Sequence, residues 1–330
     1  MKVREIQPQA ARALWYVAPG KVELRSETLG QLGDANLLVR SLFSATSRGT
    51  ERQVLNGNIP SGEWKRMRAP LQSGDFPFPV KYGYCATGRV EAGPADLVGA
   101  RVFVLHPHQD WFVAPASMAM TLPAAIPERR ATLAANMETA LNALWDGGAG
   151  PADHIVVVGA GVVGLLIAYL AARLPGARVT VTDIVPERAT IAEELGARFA
   201  DARDLASAGA DVVFHTTASE AGAATALSAC GLEGTVVEVS WYGNRPVALP
   251  LGEAFHSQRL RIVSSQVGLV SPGRRPRWDY RRRIEAVIAL LDDPLLDRLL
   301  GAEIAFEDAP RLLPGLLHSS DGLAPIIRYP

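Results

Sequence analysis

Residues 155–172 read IVVVGAGVVGLLIAYLAA, eighteen residues without a charge, and their reading decides the fold. At ~1.5 Å per residue an unbroken helix of this length would extend about 27 Å, near the lower limit for crossing a hydrocarbon core. The stretch opens, however, on the β-branched run 155–158 and meets Gly159 and Gly161 before a helical period can begin. That order suits strand, turn and helix rather than one helix. The glycines follow GxGxxG, as Gly159-Ala160-Gly161-Val162-Val163-Gly164. Pro175-Gly176 then breaks the chain, and a second alternating run, RVTVTD, ends on Asp183, nineteen residues after Gly164. The whole is the pattern of a dinucleotide-binding βαβ unit. Gly159 permits the tight turn, Gly161 lets the backbone approach a pyrophosphate at the helix N-terminus, and Gly164 lets helix pack on strand. Gly159, Gly161, Val162, Val163 and Gly164 are therefore the expected cofactor cradle.

Asp183 bears on which dinucleotide is held. A carboxylate at this strand end accepts hydrogen bonds from ribose hydroxyls and repels a 2′-phosphate, which favours NAD over NADP. Arg188 follows closely enough to soften that repulsion. The alternative for Asp183 is an acidic residue near the next helix start, beside Pro186 and Glu187 at a positive helix end.

The chain has 330 residues, 48% hydrophobic and 20% charged, with a net charge of −1. The length suits about two domains, and the charge gives no global attraction to nucleic acid or to an anionic membrane. Cys85 and Cys230 are the only cysteines, with no CxxC, so neither a disulfide framework nor a cysteine-built zinc lobe is available within the chain. The opening MKVREIQPQA lacks the apolar core of a signal peptide, and a cytoplasmic location is expected. Before residue 130 short β-like runs alternate with turns, as in RALWYV, KVELR, NLLVRSLFS and VGARVFVL. After it, strands such as DVVFH, TVVEVS and LRIVSS alternate with alanine-rich helices, which predicts a parallel sheet with helices on both faces.

A β-rich N-terminal domain followed by a dinucleotide fold resembles the medium-chain dehydrogenase/reductase superfamily, which includes zinc alcohol dehydrogenases and quinone oxidoreductases. Three local matches carry the resemblance: RGTE at 48–51 looks like the family's C-x-[ST]-[DE] segment, GYCATG at 83–88 like its G-H-E-x-x-G segment, and NMETALNAL at 136–144 like the helix entering its fingerprint. The resemblance implies an α/β chain: a GroES-like β-rich catalytic domain over 1–128 with a C-terminal return at 275–330, and a Rossmann doubly wound parallel sheet over 129–274. In zinc members the first two segments supply a cysteine and a histidine ligand, with a third ligand on the helix before the fingerprint. Here those positions carry Arg48, Tyr84 and, near the third, Ala135. No conventional zinc site can be built from them, and the chain resembles the zinc-independent branch. Its S-x-G-T-E segment gives a local likeness to bacteriochlorophyllide dehydrogenases.

Without zinc, hydride transfer at a carbinol still leaves charge on oxygen that must be stabilised and a proton that must move. Arg48 would bring a permanent cation. Tyr84 would donate the proton if a neighbouring cation lowered its pKa, Thr50 would relay it, and Glu51 would orient Arg48 or Tyr84. The structural alternative pairs Arg48 with Glu51 and puts Tyr84 in a barrel core. His106 and His108 flank Pro107 and in extended chain would point to one side as two metal ligands do, but no third ligand is evident, so a polar strand end is the preferred reading. His215 ends DVVFH at the carboxyl edge of the sheet, so the nicotinamide end is expected near His215, Ser240 and the turn from Gln266 to Gly268.

Two stretches bear on the substrate. Residues 57–81 form a long connection suited to a lid, offering Lys65, Arg66, Arg68 and Phe76. Residues 274–283, RRPRWDYRRR, hold six arginines with Trp278 and Tyr280 interleaved; a solvated or inter-subunit face ranks first, an acidic substrate second and nucleic acid third. The expected function is NAD-dependent, zinc-independent interconversion of an alcohol and a carbonyl on a moderately large small molecule, with an anionic substrate allowed by these arginines. Reduction of an activated double bond, as in quinone reductases, is the sibling reading. A non-catalytic cofactor-binding module contacting RNA or a partner through 274–283 is the reading from another class. A homodimer is expected, because LRIVSS can end the sheet as an edge strand able to pair with its copy.

Overall fold

The β-branched run at 155–158 and the glycines behind it resolve as expected in a computed structural model that describes residues 10–206, 208–319 and 322–330. The opening residues read above for a signal peptide lie, up to position 9, outside the described residues. A strand, His154–Val158, turns through the glycines into a helix, Val162–Ala171. Among the described residues no helix is long and apolar enough to cross a membrane.

The chain falls into two compact units, one from the N-terminus to Ala135 together with Ile288–Pro330, the other Asn136–Val287. In the first unit the ten-residue strand Asn36–Ala45 organises a mostly antiparallel sheet. One edge pairs with Ala86–Ala92, followed by Arg101–Val104 and Met120–Thr121. The other edge pairs with Trp111–Pro115 along its first half and with Ala324–Arg328 near its end. Leu300–Ala305 joins that last strand in parallel. Period-two alternation sends Leu37, Val39, Val90, Val102 and Phe112 to one face, where they form a buried cluster. A smaller four-stranded antiparallel sheet runs in the order Lys21–Glu27, Ala11–Ala18, Val80–Lys81, Ser73–Gly74.

The second unit is a six-stranded parallel sheet. Its order is Arg198–Phe199, Arg178–Thr182, His154–Val158, Ala210–His215, Cys230–Glu238, Arg261–Ser264. The helices Val162–Ala171, Arg188–Glu194 and Glu220–Ala229 connect successive strands. Ile155, Val156 and Val157 are fully buried, as a central parallel strand covered on both faces requires. The strand order reverses between Arg178–Thr182 and Ala210–His215 on either side of His154–Val158, which sets the glycine loop at the switch point of the sheet.

Arg283 belongs to this unit, which spans Asn136–Val287. Its side chain, 2% exposed, donates Nε to Glu138 Oε1 (2.9 Å), Nη1 to Asn142 Oδ1 (2.7 Å) and Nη2 to the Val267 carbonyl (2.6 Å). A buried guanidinium with its donors answered this way ties the arginine-rich segment to the helix Ala134–Gly147.

Gly164 fixes the helix against the loop: a Cβ there would lie 1.9 Å from the Gly159 carbonyl oxygen, whereas one on Gly161 would meet nothing within 4 Å. Gly164→Ala should therefore lower the unfolding free energy by about 2 kcal/mol or more through forced displacement of backbone, while Gly161→Ala should change it by less than about 0.5 kcal/mol. Urea titration of the two variants side by side checks both.

Candidate functional site

The glycine loop lies at the carboxyl end of its strand. Gly159 has φ +110°, and a Cβ on it would meet Thr216 Oγ1 at 2.6 Å, so both backbone and space demand glycine. Thr216 Oγ1 donates in turn to the Gly159 carbonyl at 2.9 Å. Gly161, at φ −73° and ψ 178°, is the N-cap of the helix that Val162 and Val163 begin. Nothing in the protein requires glycine at 161, so the open space over it is where a ligand's phosphates can approach the helix N-terminus. The cradle therefore fits a dinucleotide pyrophosphate.

Asp183 follows the strand Arg178–Thr182 and braces this loop: Oδ2 accepts from the Ala160 amide at 2.5 Å and Oδ1 from the Val185 amide at 2.9 Å. Each oxygen keeps a lone pair for a ribose hydroxyl. The next residue, Ile184, is 97% exposed, a position that sequence reading passed over because the short apolar pair Ile184-Val185 between Asp183 and Pro186 carries no pattern. Arg188 is buried rather than extended into solvent.

His215, at the end of its strand, is fully buried. Its Nδ1 faces Glu238 Oε2 at 2.8 Å and its Nε2 faces Thr217 Oγ1 at 2.7 Å. Tyr242 donates to the same Glu238 carboxylate at 3.1 Å. Ser240 accepts from the Ala218 amide at 3.0 Å and gives its own amide to Glu238 at 2.9 Å. His215 and Ser240 thus tie two strand ends together, and the imidazole meets protein on both nitrogens. Gln266 and Gly268 lie in an exposed turn in which Gln266 Oε1 accepts from the Gly268 amide at 2.6 Å.

In the first unit the helix Arg48–Asn56 has Ser47 as its N-cap, and Glu51, one residue beyond the capping-box position, accepts from the Ser47 amide at 2.8 Å. Glu51 is fully buried, and its Oε2 accepts from Tyr16 Oη at 2.7 Å and from His108 Nε2 at 2.9 Å. The other ring nitrogen, Nδ1, shares a hydrogen bond with Ser44 Oγ (2.7 Å), and Ser44 shares a further hydrogen bond with Tyr329 Oη (2.9 Å). The expectation that Glu51 orients or pairs with Arg48 is thereby corrected. Arg48 Nη1 donates to the Gly322 carbonyl, on the C-terminal return. His108, Tyr16, Ser44 and Tyr329 were not foreseen as one group, since the register between distant strands that brings them together leaves no local signal.

Tyr84 makes hydrogen bonds to Ser47 and Thr50, which brings the expected tyrosine and threonine together. Its acidity runs opposite to expectation. Burial pushes the phenol well above its ordinary range, Cys85 and Glu51 add to this, and the hydrogen bonds offset only part. The two histidines beside Pro107 diverge: His106 stacks on Phe112 at 3.8 Å between centroids and bonds the Pro107 carbonyl, while His108 turns to Glu51. Among the described residues no three His, Cys, Asp or Glu side chains group as metal ligands. In the 57–81 connection, Arg66 pairs with Glu63, Arg68 with Asp75, and Phe76 is buried against Tyr82. In 274–283, Trp278 packs on Trp145 with Arg274 over Trp145 and Arg282 over Trp278.

Two outcomes follow from this packing. Glu51→Ala leaves Tyr16, His108 and the Ser47 amide without their shared acceptor and should cost about 3 kcal/mol or more in urea unfolding. Burial lowers the His106 pKa from 6.5 to about 3. Since the fold holds the neutral ring and the unfolded chain takes up the proton, this contribution is complete above pH 6.5 and is lost progressively as pH falls toward 3. Between pH 7 and pH 5 the wild type should lose about 2 kcal/mol that His106→Phe does not lose, read by urea titration at both pH values.

Residues 162–280 match a family model described as zinc-binding dehydrogenase. The matched stretch lies in the second unit and contains none of Arg48, Tyr84 or Ala135. Solved structures share the fold over nearly the whole chain. A zinc-binding dehydrogenase from Sinorhizobium meliloti 1021 bound to NADP is 18% identical, with 97% of this chain and 100% of that one covered and a TM-score of 0.77. A protein from Escherichia coli CFT073, described as a short chain alcohol dehydrogenase and complexed with NADH, is 15% identical over 97% and 100% of the two chains, with a TM-score of 0.76. Alcohol dehydrogenase TADH from Thermus sp. ATN1 is 22% identical over 97% and 100%, with a TM-score of 0.73. At these identities the likeness is one of fold: a GroES-like β-rich unit and a Rossmann sheet.

Proposed function

We propose that the protein is a zinc-independent, NAD(H)-dependent oxidoreductase that interconverts an alcohol and a carbonyl on a moderately large small molecule. The observation that carries this reading is Gly161, a helix-capping glycine whose open side faces no protein atom, beside a carboxylate at the adjoining strand end. When bound, the nicotinamide supplies or accepts a hydride. Gly159 to Gly164 would hold the pyrophosphate, Asp183 the adenosine ribose, and Ile184 would cover one face of the adenine. Preference for NAD over NADP rests on the Asp183 carboxylate and on Arg188 being buried.

The chain's own residues must then manage the oxygen. Where the family resemblance puts zinc ligands this chain carries Arg48, Tyr84 and, near the third, Ala135, which make no zinc donor set, so no step is assigned to a metal. Tyr84, held by Ser47 and Thr50, is a neutral hydroxyl across the working pH range and serves as a hydrogen-bond donor to a developing alkoxide, with Thr50 as the adjoining relay. Arg48 adds positive charge at the same helix start. Glu51 acts through others: it fixes the helix N-terminus and His108. Its burial and three partners make it a positioning residue.

The raised Tyr84 pKa favours keeping one second reading, reduction of an activated carbon–carbon double bond, where a dedicated proton donor matters less. We further propose a homodimer formed through Arg261–Ser264, an edge strand that exposes Ile262; a monomeric mass in light scattering contradicts it.

The test is nicotinamide absorbance with metal-analysed protein, NAD or NADH, and fractionated small-molecule extracts, with and without a chelator. The expected result is chelator-resistant turnover, lowered roughly 100-fold in kcat by Tyr84→Phe. Turnover largely intact in that variant would assign the double-bond reaction instead, and chelator-sensitive turnover would end the zinc-free reading.

A further inference from the structure

Away from these groups, the large sheet of the first unit carries a row of like charges. Register places Arg40 directly opposite Arg89, and Arg89 directly opposite Arg101, across three adjacent antiparallel strands. Directly opposed residues share a face, with Cβ atoms roughly 4.5–5.5 Å apart, and like charges so placed are destabilising. This face is the reverse of the one on which Val39, Val90 and Val102 form the core, so packing does not call for the row. The three arginines line a surface cavity of about 420 Å³ together with Leu42, Thr121 and Glu128.

Carboxylates answer only the outer two. Arg40 Nε meets Glu91 Oε1 at 3.1 Å, and Arg101 Nη1 meets Glu128 Oε1 at 3.4 Å while its Nη2 is fixed by the Pro123 carbonyl at 2.9 Å. The central Arg89 donates Nε to the Gly99 carbonyl at 3.2 Å. Among the described residues the Nη atoms of Arg89 and Arg40 meet no acceptor. Three cations against two carboxylates leave one positive charge in excess, and it sits on Arg89.

We propose that this cavity binds the phosphoryl group of a soluble small molecule, gripped by the adjacent guanidinium forks of Arg89 and Arg40. Paired planar donors match phosphate oxygens bidentately, and the volume falls in the range of small-molecule pockets. A bound phosphoryl group offsets the like-charge cost of the row. The site does not depend on the oxidoreductase reading, since none of its residues belongs to the groups assigned above.

Thermal unfolding of the full chain in sodium phosphate or pyrophosphate, against sodium chloride at matched ionic strength, tests it. The wild type and the nucleotide-loop variant Gly161→Ala should both rise in Tm with phosphate beyond the chloride control. Arg89→Gln should lose that rise while being at least as stable as wild type in chloride, and Arg40→Gln should weaken phosphate affinity roughly tenfold by calorimetry. An equal phosphate response in Arg89→Gln, or no response beyond chloride in the wild type, would overturn the proposal. Flotation with phosphatidylglycerol vesicles, in the absence of a response to free phosphate, would overturn the assignment to a soluble ligand.

Discussion

The Gly159 carbonyl stands where a side chain at residue 164 would begin, and the second unit is built around that contact. Because the helix comes this close, its N-terminus points its free amides at the space over Gly161. Thr216 closes the contact from the neighbouring strand with a hydrogen bond to the same carbonyl, and Asp183 closes it from the strand on the other side through the Ala160 amide. Three parallel strands thus converge on one loop. The residues that brace the loop are the ones whose remaining lone pairs a nucleotide can use, so stability and binding draw on the same groups.

The first unit meets a different constraint, a fully buried carboxyl group. A fully buried Glu51 is tolerable only because Tyr16, His108 and the Ser47 amide all donate to it. The continuation through Ser44 to Tyr329 carries the network onto the C-terminal return, which explains why a strand near the chain's end completes the N-terminal sheet. The helix Arg48–Asn56 is therefore held at its first turn by a buried polar line, and Arg48 and Thr50 take their places from that turn.

Much of this was legible in the residues. The fingerprint from Ile155 to Asp183 gave strand, loop, helix and strand because each glycine has a separate steric reason, and steric reasons are local. The pairing of Tyr84 with Thr50 followed from matching two short segments. What escaped was whatever depends on register between distant strands: the meeting of Tyr16, Glu51, His108, Ser44 and Tyr329, and the alignment of Arg40, Arg89 and Arg101. His106 and His108, read as a polar strand end, part company because the chain has left its strand at Val104 before Pro107. The arginine-rich segment misled in part because Arg283 reads as one of six surface charges until Glu138 and Asn142 are seen facing it. For Tyr84 the reading required a neighbouring cation to lower its pKa; desolvation dominates instead, and Cys85 and Glu51 raise it further.

The loop from Gly159 to Gly164, with Asp183, is proposed to hold NAD(H). Calorimetric titration of the purified full chain with NADH and with NADPH, repeated on Asp183→Ala, tests it most directly. The account predicts that wild type binds NADH more tightly than NADPH, and that the variant loses roughly tenfold in NADH affinity while its preference narrows or reverses. Failure of wild type to bind either dinucleotide, or tighter binding of NADPH that Asp183→Ala leaves unchanged, would contradict it.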